Sequence, residues 1–329
     1  MMLFLHHQGF VFACGQTLPE LRLRYSTLGT PQHDANGHIS NAVMLLHSST
    51  GHRLHWLSDA MVRELMGPGQ PLDAANYFFI VPDLIGHGQS SKPSDGLRAR
   101  FPAYRCQDMV KALYLLVTQG LKIPRLQLLM GTSLGAMLAW EWAHRYPYAA
   151  QKIVPIAAYP LPLGGRNWIG RRMMIEAIRN DPEWRGGDYD VAPRSCRFTA
   201  PLLLLMAHSV EQLQRIAPNQ AAADKYYDQL VQIVSQHDVN DLLYIFECTS
   251  DYDPSIGLER MESEILAINF DGDEICRPDV AAFEAGVGRI GRARSIRVPL
   301  TNQSCGHLTY YHVNTWKADL ENFLKPGAA

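Results

Sequence analysis

The sequence predicts an α/β fold: a mostly parallel central sheet flanked by helices, with a helical segment inserted into it. Three observations carry this expectation. Short apolar runs recur along the first half, namely AVMLLH (42–47), YFFIVP (77–82), LQLLM (126–130) and KIVPIAA (152–158). They lack polar alternation, as strands buried on both faces do. Helix-like stretches separate them, and the same strand pattern returns after a long helical interval.

The elements follow in order. FVFACGQTLPELRLRYSTLG reads as two antiparallel strands joined at a Gly-Gln-Thr turn, and the paired His6 and His7 before it as a solvated segment. DMVKALYLLVTQG (108–120) has an acidic start and a glycine stop, the marks of a helix. From 161 to 260 strand-like runs become scarce, so residues 1–160 and 261–329 are expected to form the core domain and 161–260 an inserted helical cap. Within that cap, RRMMIEAIRNDPEWRGGDYD should end its helix near Asp181 and Pro182, and AAADKYYDQLVQIVSQHDVNDLLYIFECTS should add one or two helices. EILAINF (264–270) and SIRVPL (295–300) resume the sheet, and TWKADLENFL closes the chain as an amphipathic helix.

Composition narrows the function. With 329 residues, 47% of them hydrophobic, the chain can bury a sizeable core. Its 30 basic and 32 acidic residues leave a net charge of -2, which argues against nucleic acid or an anionic membrane as partner and favours a small-molecule substrate. The opening MMLFLHHQGF has no basic start and too short an apolar run for a signal peptide, and no run is long enough to span a bilayer. The 6 cysteines lack C-x-x-C spacing, so reduced thiols and a cytoplasmic setting are expected.

The chemistry concentrates at Gly131-Thr132-Ser133-Leu134-Gly135, a G-x-S-x-G placed where a strand gives way to a helix. A serine on such a turn is held in a strained conformation with its hydroxyl exposed, and its flanking positions must be small. A hydroxyl is a poor nucleophile at neutral pH, so it needs a base and the base needs an acid. In this arrangement they follow in the order acid, histidine. Asp273, beyond EILAINF, and His307, beyond SIRVPL, occupy those places; Asp271 competes with Asp273, and Glu274 stands third. The oxyanion donors are expected to be the N–H of Leu134 and one from the loop His47-Ser48-Ser49-Thr50-Gly51, Ser49 first and Thr50 next.

Other residues admit plainer readings. His47, His52 and His55 lack carboxylate or cysteine partners at ligand spacing, so no metal site is expected. His47 and His52 are placed at the pocket mouth, and His55 beneath Trp56. The stripe Met137, Trp140, Glu141 and His144 reads as packing. Of the arginines after residue 160, Arg166, Arg171 and Arg172 could each contact a substrate acid, although a solvated helix face is the plainer reading for the three; Arg166 is the candidate pocket residue.

Together these residues resemble the α/β-hydrolase fold and, within that superfamily, the homoserine O-acetyltransferase-like family. LRYSTLGTP, HSSTG, RCQDMVKA, GTSLGAMLAWEWAHRYP, NDPEWRGGDY and DVNDLLYIFECTSDYD carry the likeness from about Phe10 onward. The resemblance implies a triad at Ser133, Asp273 and His307, an acyl-serine passed to an alcohol, acetyl-CoA as a possible donor substrate, no cofactor, and a homodimer joined through the caps. Departures accompany it. Leu204 stands where the resemblance implies an arginine gripping the acceptor's carboxylate, Glu211 lies near an expected tyrosine, and Leu308 follows His307 in place of an aspartate. DLIGHGQSS (83–91) follows the generic hydrolase pattern. Without that clamp homoserine is not the expected acceptor. The leading expectation is hydrolysis of a small ester or thioester; the alternative is transfer of an acetyl group to a small alcohol, and a third reading is a binding protein without turnover.

Overall fold

A computed structural model describes residues 3–277 and 279–325. Eight strands form one sheet in the order β1-β2-β4-β3-β5-β6-β7-β8. These are β1 (Leu3–Val11), β2 (Thr17–Leu28), β3 (Ala42–Leu46), β4 (Phe78–Pro82), β5 (Leu126–Thr132), β6 (Ala150–Ile156), β7 (Glu264–Phe270) and β8 (Ala293–Val298). β2 runs antiparallel to β1 and β4, and every later pairing is parallel.

Why the central strands carry no polar alternation is visible in β3. Val43 and Leu45 enter one hydrophobic core with Trp316, Leu320 and Phe323, whereas Met44 and Leu46 enter the other with Met109, Val110 and Leu113. Successive side chains point to opposite faces, and both faces are covered. The covering helices are α1 (Asp59–Met61), α2 (Cys106–Leu115), α3 (Leu134–Arg145) and, from the far end of the chain, α9 (Val280–Gly288) and α10 (Lys317–Leu324).

Between β6 and β7 lie α4 (Gly165–Arg179), α5 (Ser195–Met206), α6 (Val210–Ile216), α7 (Gln220–Ser235) and α8 (Val239–Glu247). Side-chain caps start three of them: Ser209 accepts from Gln212 N, Asn219 from Ala222 N, and Asp238 from Asn240 N and Asp241 N. Helix α8 is buried from Val239 to Phe246 and docks on the core polypeptide, where Tyr244 Oη donates to Ala99 O at 3.0 Å and Ser94 Oγ to Asp241 Oδ2 at 2.6 Å.

One expectation gains detail here. His6 and His7 are part of β1, the edge strand, and His6 Nδ1 lies 2.9 Å from Glu20 Oε1 across the pair. His6 is exposed, as the solvated reading requires, because an edge strand can present polar side chains to water and still pair its backbone.

Candidate active site

The chain turns sharply from β5 into α3 at Ser133, whose φ of 54 and ψ of −115 lie in a region that L-residues avoid. Local bonding holds it there: Ser133 N donates to Ile156 O and Met137 N to Ser133 O, each at 2.9 Å. The flanking glycines are demanded by space. A Cβ on Gly131 would stand 2.3 Å from Gly135 O, and one on Gly135 would stand 2.4 Å from Leu46 O. Both obstacles are backbone, so neither can swing aside.

The loops after β7 and β8 bring two buried side chains to this serine. His307 Nε2 is 2.8 Å from Ser133 Oγ, and His307 Nδ1 is 2.7 Å from Asp273 Oδ2. The other carboxylate oxygen of Asp273 accepts from Ile275 N at 2.9 Å and Cys276 N at 2.8 Å, which fixes the carboxylate plane. The competing acids are committed elsewhere: Asp271 pairs with Arg297, and Glu274 with Arg166 and Arg277. On His307 burial works against the charged ring, but Asp273 and the Cys276 side chain outweigh it, so its pKa is raised. Burial pushes the Cys276 thiol up in turn, so it is neutral at pH 7 and the lasting upward influence is Asp273.

Leu134 N–H is the first donor of α3 and has no intrahelical acceptor. The turn bearing Ser49 and Thr50 leaves the carboxyl end of β3, with Ser49 half-buried and Thr50 exposed. Its position is set from below. His87 Nε2 lies 2.9 Å from Ser49 O, and Arg53, in the turn just beyond, is tied to buried Asp83 through its backbone N at 2.8 Å and its Nη1 at 2.5 Å. His47, expected at the pocket mouth, is instead fully buried. Its Nδ1–H donates to Ser48 O at 2.8 Å and its Nε2 accepts from Leu84 N at 3.1 Å, so both ring nitrogens brace the loop. Burial, reinforced by His87, keeps this ring neutral.

The remaining candidates separate. His52 is exposed, and His55 packs edge-on against Tyr311 at 4.4 Å and beside Trp56 at 5.6 Å. Met137 and Trp140 are buried, and Glu141 pairs with Arg145, as packing requires. Arg166 is exposed and lines a cavity of about 790 Å³ whose inner wall includes Met137 and Cys276. Arg171 is not on a solvated face. It is 6% exposed, and its Nη2 reaches Ser49 Oγ at 3.3 Å. His87 and Cys276 are the site residues that sequence reasoning missed, whereas Arg171 was weighed as a contact for a substrate acid and set second to a solvated face; for His87 the motif DLIGHGQSS was the available signal. Cys14, Cys106, Cys248, Cys276 and Cys305 are unpaired, and the side chain of Cys196 lies outside what is described. Asp273, Cys276 and His307 form a group near enough to share an ion, whereas His47, His52 and His55 do not.

The elbow, the buried relay behind it and the parallel sheet define an enzyme of the α/β-hydrolase class. The family model described as alpha/beta hydrolase fold matches residues 41–196. The homoserine O-acetyltransferase of Pelobacter propionicus is 31% identical over 78% of this chain and 75% of that protein. The chain belongs to the homoserine O-acetyltransferase-like family. Among solved structures, a homoserine O-acetyltransferase from Bacillus anthracis superposes with a TM-score of 0.85 at 18% identity, covering 100% of this chain and 98% of that one. An acetylester hydrolase from Corynebacterium glutamicum does so with 0.84 at 22% identity, covering 98% and 96%. Proteins named for transfer and for hydrolysis share the fold, so the fold does not choose between them.

Proposed function

We infer that Ser133 is the nucleophile of an acyl-transfer cycle on a small ester or thioester. Its Oγ attacks the carbonyl carbon while His307 Nε2 takes the hydroxyl proton, and the alkoxide or thiolate leaves with that proton. Asp273 holds the ring with its N–H on Nδ1 and stabilises the imidazolium. The N–H groups of Leu134 and Ser49, or of Thr50 in place of Ser49, face the oxygen on which negative charge develops. A second pass with water as attacking group releases the acid and restores the serine. The observation that carries this reading is the 2.8 Å approach of His307 Nε2 to Ser133 Oγ with a carboxylate behind the ring.

Water is the acceptor we favour. Leu204 packs among apolar side chains where the family likeness implies a carboxylate-gripping arginine. The second reading, transfer of an acetyl group from acetyl-CoA to a small alcohol, draws on the kinship with the Pelobacter propionicus enzyme. Neither cycle needs a cofactor, since acetyl-CoA enters as substrate. By the same kinship residues 161–260 act as a cap over the site and join two copies into a cytoplasmic homodimer.

The test is hydrolysis of p-nitrophenyl acetate, which Ser133→Ala should lower by about 10³-fold or more. Acetyl-CoA consumption with and without hydroxy compounds then separates the two acceptors. Consumption that requires the hydroxy compound would replace hydrolysis by transfer.

A further inference from the structure

Arg171 is a buried cation without a counter-charge. No carboxylate pairs with it among the described residues, and the ionisable side chains around it are the thiols of Cys248, Cys276 and Cys106. Burial raises the pKa of all three, so they stay neutral and give no compensation. A guanidinium does not lose its proton to escape such a place. Isolated charges of this kind are strongly disfavoured unless something pairs with them.

Its three bonds describe where it points. Nε donates to Asn167 Oδ1 at 2.9 Å, Nη1 to Ile245 O at 3.2 Å and Nη2 to Ser49 Oγ at 3.3 Å. Ile245 belongs to the last turn of α8, whose carbonyls offer partial negative charge but no full one. Ser49 belongs to the loop after β3 that the proposed mechanism assigns to the second oxyanion donor. On the other side Asn167 Nδ2 contacts Cys276 Sγ at 3.7 Å, and Cys276 stands against His307. The guanidinium therefore links the loop after β3, through Ser49, to the Asn167–Cys276 side that stands against His307. Five N–H donors less three leaves one free on each terminal nitrogen.

We propose that Arg171 is the subsite for a carboxylate carried by the substrate within a few bonds of the scissile carbonyl, so that the enzyme prefers anionic esters or thioesters to neutral ones. The inference rests on the acyl-transfer reading for the location of the scissile bond. It differs from it in what it asserts: the charge of the ligand, not the course of the reaction. Two oxygens of a carboxylate match the two free donors, and a bound anion supplies the missing counter-charge. An arginine that only fastened α4 to the end of α8 would give no preference between an ester acid and its methyl ester.

The test separates binding from turnover. Ser133→Ala protein is titrated calorimetrically with acetoxyacetate and methyl acetoxyacetate, and with monomethyl and dimethyl succinate, so that the charge is tried on either side of the ester. In at least one pair the anion should bind about 10-fold or more tighter than its neutral partner. Adding Arg171→Gln should bring that ratio close to one; Arg171→Lys, which keeps the charge but not the fork, should retain part of it. Equal or reversed preference in both pairs of the Ser133→Ala protein overturns the proposal, whether or not the Arg171 variants fold. Turnover of p-nitrophenyl acetate is compared separately between the wild-type enzyme and its Ser133→Ala variant, so failure of the catalytic reading is not confused with failure of this one.

Discussion

His307 Nε2 stands 2.8 Å from Ser133 Oγ although 174 positions separate the two residues in the chain. The approach depends on β5, β7 and β8 ending at the same edge of the sheet. On the proposed mechanism it also ties activity to the ionisation of one ring. The base must be neutral to take the serine proton, so kcat/KM rises with pH as His307 loses its proton. Burial lowers its pKa, the Asp273 carboxylate raises it, and the net is upward. The rising limb should therefore lie above the ordinary histidine value of about 6.5. Asp273→Asn removes the main raising influence. The limb should move to lower pH and the plateau should drop by about 10³-fold or more, read from pH–rate profiles of both proteins.

The elbow makes a prediction about stability. Alanine is ordinarily preferred to glycine inside a helix by about 1 kcal/mol. At Gly135 the new Cβ would meet Leu46 O at 2.4 Å and His47 O at 2.8 Å, so Gly135→Ala should instead lose about 1–3 kcal/mol in urea unfolding. Gly288, at the end of α9, has open space where a Cβ would stand, and Gly288→Ala should be neutral or stabilising. Equal effects at the two positions would refute the steric account of the turn.

The loop after β3, which the proposed mechanism assigns to the second oxyanion donor, is braced by buried side chains beneath it. His87 fixes the Ser49 carbonyl at 2.9 Å, and the peptide unit so oriented carries the Thr50 N–H. His87→Ala should lower kcat by about 10-fold or more with little change in KM, because the donor is misplaced in the transition state more than in the ground state. A variant that raised KM alone would show His87 serving substrate binding instead.

Burial, with His52 nearby, lowers the His55 pKa to about 4. A histidine depressed in the folded state binds its proton better when unfolded. Its contribution to stability is present above the unfolded value of about 6.5 and is lost as pH falls toward the folded one. Tm should decline through that window, and His55→Gln, which cannot charge, should flatten the decline. Unchanged slopes would remove His55 from the acid response.

Much of this was legible in the chain itself, and the reason is physical. EILAINF coincides with β7 because a strand buried on both faces is a continuous apolar run. Ser133 could be read because glycine on both sides of a serine, after a strand and before a helix, answers a steric need. Asp273 and Asp271 could not be separated from spacing alone. Backbone N–H groups of residues 275 and 276 turn the first inward, and Arg297 draws the second outward. The solvated reading of Arg171 was the plainer one because RRMMIEAIR sets two arginines, Arg171 and Arg172, side by side in one helical turn. Which of them turns inward is set by Ile245 and Ser49, which lie 74 and 122 positions away. His47 was misplaced for the same reason, since Leu84, which occupies its ring, is 37 positions distant.

The central claim, that the hydroxyl of Ser133 carries the acyl group between attack and release, is tested most directly by trapping it. Wild-type enzyme mixed with excess p-nitrophenyl acetate, quenched in acid within the first turnover and digested, should yield an acetylated peptide with the modification on Ser133, and His307→Ala should yield almost none. Acetyl found on another side chain, or an unmodified Ser133 peptide during steady turnover, would contradict the account.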